Sequence, residues 1–91
     1  MYLHVGLDKI ITDETVVGIF DLDTSTVSKP TREFLASAEK NGQVENVCND
    51  LPKSFLVCAQ PDGSQKVYIS QLSSQTLLKR AENGEGLNNI L

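Results

Sequence analysis

The chain has no tryptophan, two tyrosines and three phenylalanines among its 91 residues, so aliphatic side chains must build most of its core. Three prolines and six glycines are too few for a collagen-like or low-complexity chain. No apolar run nears the roughly 20 residues that cross a bilayer, and the opening Tyr2-Leu3-His4-Val5 alternates instead of running basic and then apolar like a signal peptide. The expectation is a cytoplasmic protein. Two cysteines, Cys48 and Cys58, form no C-x-x-C pair and have no histidine partner close by, so neither a redox nor a zinc site is signalled.

What is present describes an ordinary globular chain: 40% hydrophobic and 22% charged residues, enough for one thin core and too short for two. A core this small gains from self-association. The net charge of −4 argues against a polyanion binder driven by total charge, but the charges are segregated. Residues 1–28 hold one lysine, Lys9, against five carboxylates, and residues 53–80 hold Lys53, Lys66, Lys79 and Arg80 against Asp62. One face for nucleic acid, or an acidic edge meeting a basic edge head to tail, would both use such a dipole; plain solvated surface charge is the other reading.

Period-2 alternation over Tyr2–Val5, the turn Gly6-Leu7-Asp8-Lys9 and Ile10-Ile11-Thr12 predict a hairpin. Val16–Leu22 reads as a strand covered on both faces, with Gly18 marking a bulge or close approach. Asp23–Ser28 is small and polar and is expected to be a surface loop. A helix follows from Ser28 or Lys29, with Pro30 in its first turn and Asn41-Gly42 as its left-handed stop; Phe34, Leu35 and Ala38 form its apolar stripe. Val44–Val47 is a weak edge strand, Ser54–Ala59 the central strand with Cys58 buried in it, and Lys66–Ser70 a return strand after the type I turn Gln60-Pro61-Asp62-Gly63. Ser73 caps a last helix stapled by Leu72 and Leu77, with Leu77, Leu78 and Ala81 inward and Lys79-Arg80 in its final turn against the helix dipole. Asn83–Leu91 reads as a frayed tail.

No catalytic constellation is visible. His4, the single histidine, lies in a strand without a carboxylate or nucleophile near it in sequence, and Ser73-Ser74 is explained by capping. No phosphate loop, H-E-x-x-H or calcium loop occurs, so no cofactor or metal is expected. Binding or assembly remains. Lys53, Lys66, Lys79 and Arg80 are the candidate phosphate-binding residues, on the expectation that they converge at one rim of the sheet and are multiplied by a ring of subunits.

The segments Tyr2-Leu3-His4-Val5-Gly6, Val17-Gly18-Ile19-Phe20-Asp21-Leu22, Thr31-Arg32-Glu33-Phe34-Leu35 and Pro52-Lys53-Ser54-Phe55-Leu56-Val57, and above all Val67–Ala81, resemble the bacterial extracellular matrix regulatory proteins, closer to the B branch than to the A branch. The resemblance spans residues 1–82. It implies a regulator from a Firmicute cell, since the A branch comprises small ring-forming DNA-binding activators of biofilm-matrix genes. The A-branch arginines fall here at Thr15 and near Leu51-Pro52, none basic, so that Lys53, Lys79 and Arg80 are what remains of that surface. Gln71 stands where B-branch relatives carry proline, a change expected to affect the turn into the last helix.

The sequence thus predicts a single α+β domain over residues 1–82 with a tail over 83–91: a mostly antiparallel sheet of five or six short strands, two helices and a ring-forming homo-oligomer. The functional expectation is a non-enzymatic regulator that binds double-stranded DNA as an oligomer. The alternative is an oligomeric scaffold or protein-binding module that has lost the DNA surface.

Overall fold

A computed structural model describes residues 2–25 and 28–83. The elements run β1 (Tyr2–Gly6), β2 (Lys9–Thr12), a 3-10 turn (Asp13–Thr15), β3 (Val16–Asp21), α1 (Leu22–Ser25), α2 (Lys29–Lys40), β4 (Val44–Asn46), β5 (Ser54–Ala59), β6 (Gln65–Ser70) and α3 (Ser74–Asn83). The tail expected over 83–91 lies outside the described residues, except Asn83, which closes α3.

The six strands do not form one sheet, which corrects the sequence expectation. β3-β5-β6-β4 make a four-stranded sheet, and β1-β2 are a separate hairpin laid over it. The reason is the alternation itself: Leu3, Val5 and Ile11 are buried and pack down on Leu56, Cys58 and Tyr68, so the hairpin spends its apolar face as a layer. Within the sheet β3, β5 and β6 are antiparallel, whereas β4 pairs parallel with β6. The successive side chains of β5 divide between two cores. Leu56 and Cys58 face the hairpin and α3, while Phe55 and Val57 face α2 with Val67, Ala38, Phe34 and Leu35. The architecture is therefore three layers, α2 below the sheet and the hairpin with α3 above it.

Local chemistry sets the ends of these elements. Val17 is the extra residue of a bulge between the pairs Val16↔Cys58 and Gly18↔Val57, as Gly18 in the strand suggested. At Gly6 the backbone has φ 151°, and a Cβ would lie 2.4 Å from the Val47 carbonyl oxygen, so only glycine lets the hairpin settle onto the chain entering the next loop. α2 ends where predicted, with Gly42 at φ 71° and the Gly42 N–H bonded to the Glu39 carbonyl. The turn at Gln60–Gly63 closes through the Gly63 N–H to the Gln60 carbonyl at 3.0 Å.

Two further expectations need correction. Asp23–Ser28 does not begin as a loop: the Asp21 carboxylate accepts the Asp23 N–H at 2.8 Å and the Leu22 N–H reaches the Lys53 carbonyl, so the small polar residues start the single helical turn α1. Leu78 does not face inward but is 45% exposed. At about 100° per residue Leu77 and Ala81 share a face and Leu78 lies off it. The Ser73 cap forms as predicted, its hydroxyl accepting the Thr76 N–H at 3.1 Å, and Leu72 and Leu77 meet in the upper core.

Candidate functional site

Lys53 stands just ahead of β5, and its backbone N–H is bonded to the Ser70 carbonyl, which fixes it where β6 ends and the chain turns into α3. Its side chain is exposed, as is Lys79 on α3. Arg80, in the last turn of α3, reaches across to β1: its Nη1 donates to the His4 ring Nδ1 and to the His4 carbonyl, both at 3.3 Å. α3 runs on to Asn83, so Arg80 lies in its final turn and Lys79 does not, contrary to the expectation for the pair.

Lys66 lies away from Lys53. In the antiparallel register Ser54 opposes Ser70 and Cys58 opposes Lys66, so Lys53 and Lys66 lie toward opposite ends of the β5-β6 pair, more than about 13 Å apart along the strands. The four cations therefore do not converge on one rim. Lys66 is also engaged, with its Nζ 3.1 Å from Glu45 Oε1 while Lys9 approaches Oε2 at 3.5 Å. Both ammonium groups lie over the Tyr68 ring, 5.5 and 5.8 Å from its centroid. The hydrogen bond from Lys66 draws the Glu45 carboxyl below its ordinary range, and the Glu45 carboxylate raises Lys66. This knot ties hairpin, edge strand and sheet together. Lys9 lies in the acidic end of the sequence, and no local pattern pairs residues 9, 45 and 66.

The positions where A-branch arginines align hold other roles. The Thr15 hydroxyl donates to the Thr12 carbonyl at 2.7 Å, and Leu51 is 77% exposed beside exposed Pro52. Gln71 does more than enter a turn: its side-chain carbonyl accepts the Asn49 N–H at 3.1 Å, a link to the Val47–Lys53 segment that proline could not make. Cys48 is half-buried, its thiol donating to the Asp50 carbonyl, and Cys58 is fully buried, with burial pushing its thiol up. Among the described residues no group of three or more His, Cys, Asp or Glu side chains could hold a metal ion.

An apolar groove of about 330 Å³ opens on the α2 side of the sheet, along edge strand β3, between Val17, Phe20, Pro30, Phe34, Phe55 and Val57. Phe20 stacks on Phe55 with centroids 5.0 Å apart and is still 41% exposed, and Val17 is 71% exposed. On the far side of the molecule the outward face of the hairpin and α3 leaves Tyr2, Ile10 and Leu78 exposed. Neither patch could be read from the chain before the β3 bulge and the separate hairpin were known.

The described residues thus form a small three-layer α+β domain, with Lys53 exposed just ahead of β5 and Lys79 exposed on its last helix. Comparison with known proteins makes the class specific. Residues 2–81 match the family described as extracellular matrix regulatory protein A-like, and the chain belongs to that family. It is 40% identical over 82 residues to extracellular matrix regulatory protein B of Bacillus subtilis (strain 168), covering 90% of this chain and 91% of that protein. No helix among the described residues is long and apolar enough to cross a membrane.

Proposed function

We propose that this protein is a cytoplasmic, non-enzymatic regulator of matrix (biofilm) genes that binds double-stranded DNA as a ring-shaped homo-oligomer. The observation that carries the proposal is the family match over nearly the whole chain, to proteins named as matrix regulators. In this reading Lys53 and Lys79 make the phosphate contacts, Arg80 supplements them, and Lys66 is mainly structural through Glu45. One subunit offers few cations, so useful affinity depends on repetition around the ring. The exposed groove along β3 and the exposed hairpin face are two different apolar surfaces, the arrangement that head-to-tail assembly requires.

The test measures binding to a mixed duplex DNA pool at low and physiological salt, with particle mass read on the same sample. The proposal expects salt-sensitive binding by a large particle, lost in Lys53→Glu/Lys79→Glu without loss of mass. Equal binding by the double variant removes the proposed surface.

A second reading, an oligomeric scaffold for a protein partner, is favoured by the net charge of −4 and by Thr15, Leu51 and Pro52 at the family's arginine positions. It expects an intact large particle that retains no DNA at either salt and recovers a protein partner.

A further inference from the structure

We infer that His4 is a proton-controlled latch on Arg80: a neutral imidazole holds the guanidinium against β1, and a protonated one loosens it for contact with an anion. The latch stands on geometry alone; its consequence for DNA rests on the proposed function.

The protonation pattern follows from what each partner can do. The Leu7 carbonyl can only accept, so the His4 Nε2 that lies 2.5 Å from it carries the ring hydrogen. A guanidinium can only donate, so Nδ1, 3.3 Å from Arg80 Nη1, presents its lone pair. One neutral tautomer satisfies both contacts. The tight turn after β1, with Leu7 at φ 46°, fixes the carbonyl that sets this tautomer. The next proton therefore goes to Nδ1, where it converts the acceptor into a second donor and faces one cation with another. What then remains of the attachment is the 3.3 Å bond from the same Nη1 to the His4 carbonyl.

Imidazole is the side chain that ordinarily changes charge between pH 5 and 8. On the elements packed around β1, Lys9 of β2 and Lys66 of β6 are directed at Glu45 of β4 and lie over Tyr68, while Asp8 in the hairpin turn and Lys79 and Glu82 on α3 are exposed. Among the described residues, Arg80 is the charged group in hydrogen-bond contact with the ring.

The chain's single histidine makes the test direct. In the isotope-labelled protein without DNA, the Arg80 side-chain signal should shift between pH 8 and 5.5 in step with the His4 ring. In His4→Asn, whose amide oxygen can stand near the position of Nδ1 but takes no proton, it should stay fixed. An Arg80 signal indifferent to the His4 ring, or one that moves equally in His4→Asn, overturns the latch; the wild-type titration decides the first point without any variant. Affinity for mixed duplex DNA should rise about 1.5-fold to fivefold from pH 8 to 5.5 in the wild type beyond any rise in His4→Asn, the worth of one exposed charge contact. Coupled Arg80 and His4 signals with no DNA binding at either pH would support the latch and remove the DNA reading. Equal affinity gains in both proteins would overturn the latch's control of binding.

Discussion

The hydroxyls of Ser54 and Ser70, directly opposed on β5 and β6, close on the two backbone groups of one residue, Leu72: Ser54 Oγ donates to its carbonyl at 2.7 Å, and Ser70 Oγ accepts its N–H at 3.0 Å. Ser70 also donates to the Val5 carbonyl at 2.6 Å. Both serines are fully buried, and between them they fix the chain entering α3 and the end of β1.

Ser70→Ala leaves the Val5 carbonyl and the Leu72 N–H without these partners in a dry environment. The expected cost is about 1–3 kcal/mol, seen as a fall in Tm of roughly 4–8 °C per kcal/mol for a domain of this size. A change in Tm under 2 °C by calorimetry would show that water replaces the hydroxyl.

Gly6→Ala drives a Cβ toward the Val47 carbonyl oxygen at 2.4 Å, backbone that has no rotamer to move away. The variant should lose more than about 1 kcal/mol in urea unfolding. Gly42→Ala is the comparison, since at Gly42 a Cβ meets nothing within 4 Å and its cost comes from the φ of 71° alone.

The Glu45 knot makes part of the stability depend on pH. A carboxyl held below its ordinary value of 4.5 by Lys66 and Lys9 contributes stability that is fully present above that value and is lost as pH falls through the lower, folded-state value. Because the side chain is about one-third exposed, solvent screening limits the contribution to roughly 0.2–1 kcal/mol. The difference in urea midpoint between wild type and Glu45→Gln should hold from pH 7 to 5 and shrink as the pH falls below 4.5. A difference that does not shrink would assign it to packing.

Val17→Asp places a charge at the exposed tip of the β3 bulge, beside the groove. Fold stability should change by less than about 0.5 kcal/mol, as for an exposed surface site, while light scattering should show a smaller particle than the wild type. An unchanged large particle would remove the groove from the subunit contact.

Much of this fold could be read in the residues. The hairpin, the stop of α2 at Gly42, the bulge near Gly18 and the Ser73 cap rest on local chemistry and appear where the sequence put them. What could not be read depends on which faces meet. Alternation in Tyr2–Val5 says that one face is buried, but not whether the hairpin joins the sheet or covers it. Nor does Val44–Asn46 announce a parallel partner, because its pairing with Val67–Ile69 is set by how α2 crosses the sheet. The cations were identified by type; their separation came from register, which sends Lys66 to the Cys58 end, and from the unpredicted attachments to Glu45 and His4.

The bond from Ser70 to Val5 joins residues 65 positions apart. During synthesis the hairpin emerges before the surfaces it covers, and its apolar face has no complete surface to settle on until β6 and Leu77 of α3 have followed. The nascent chain therefore carries Leu3, Val5 and Ile11 without their full cover until β6 and α3 have been made, and that cover consists of long-range contacts.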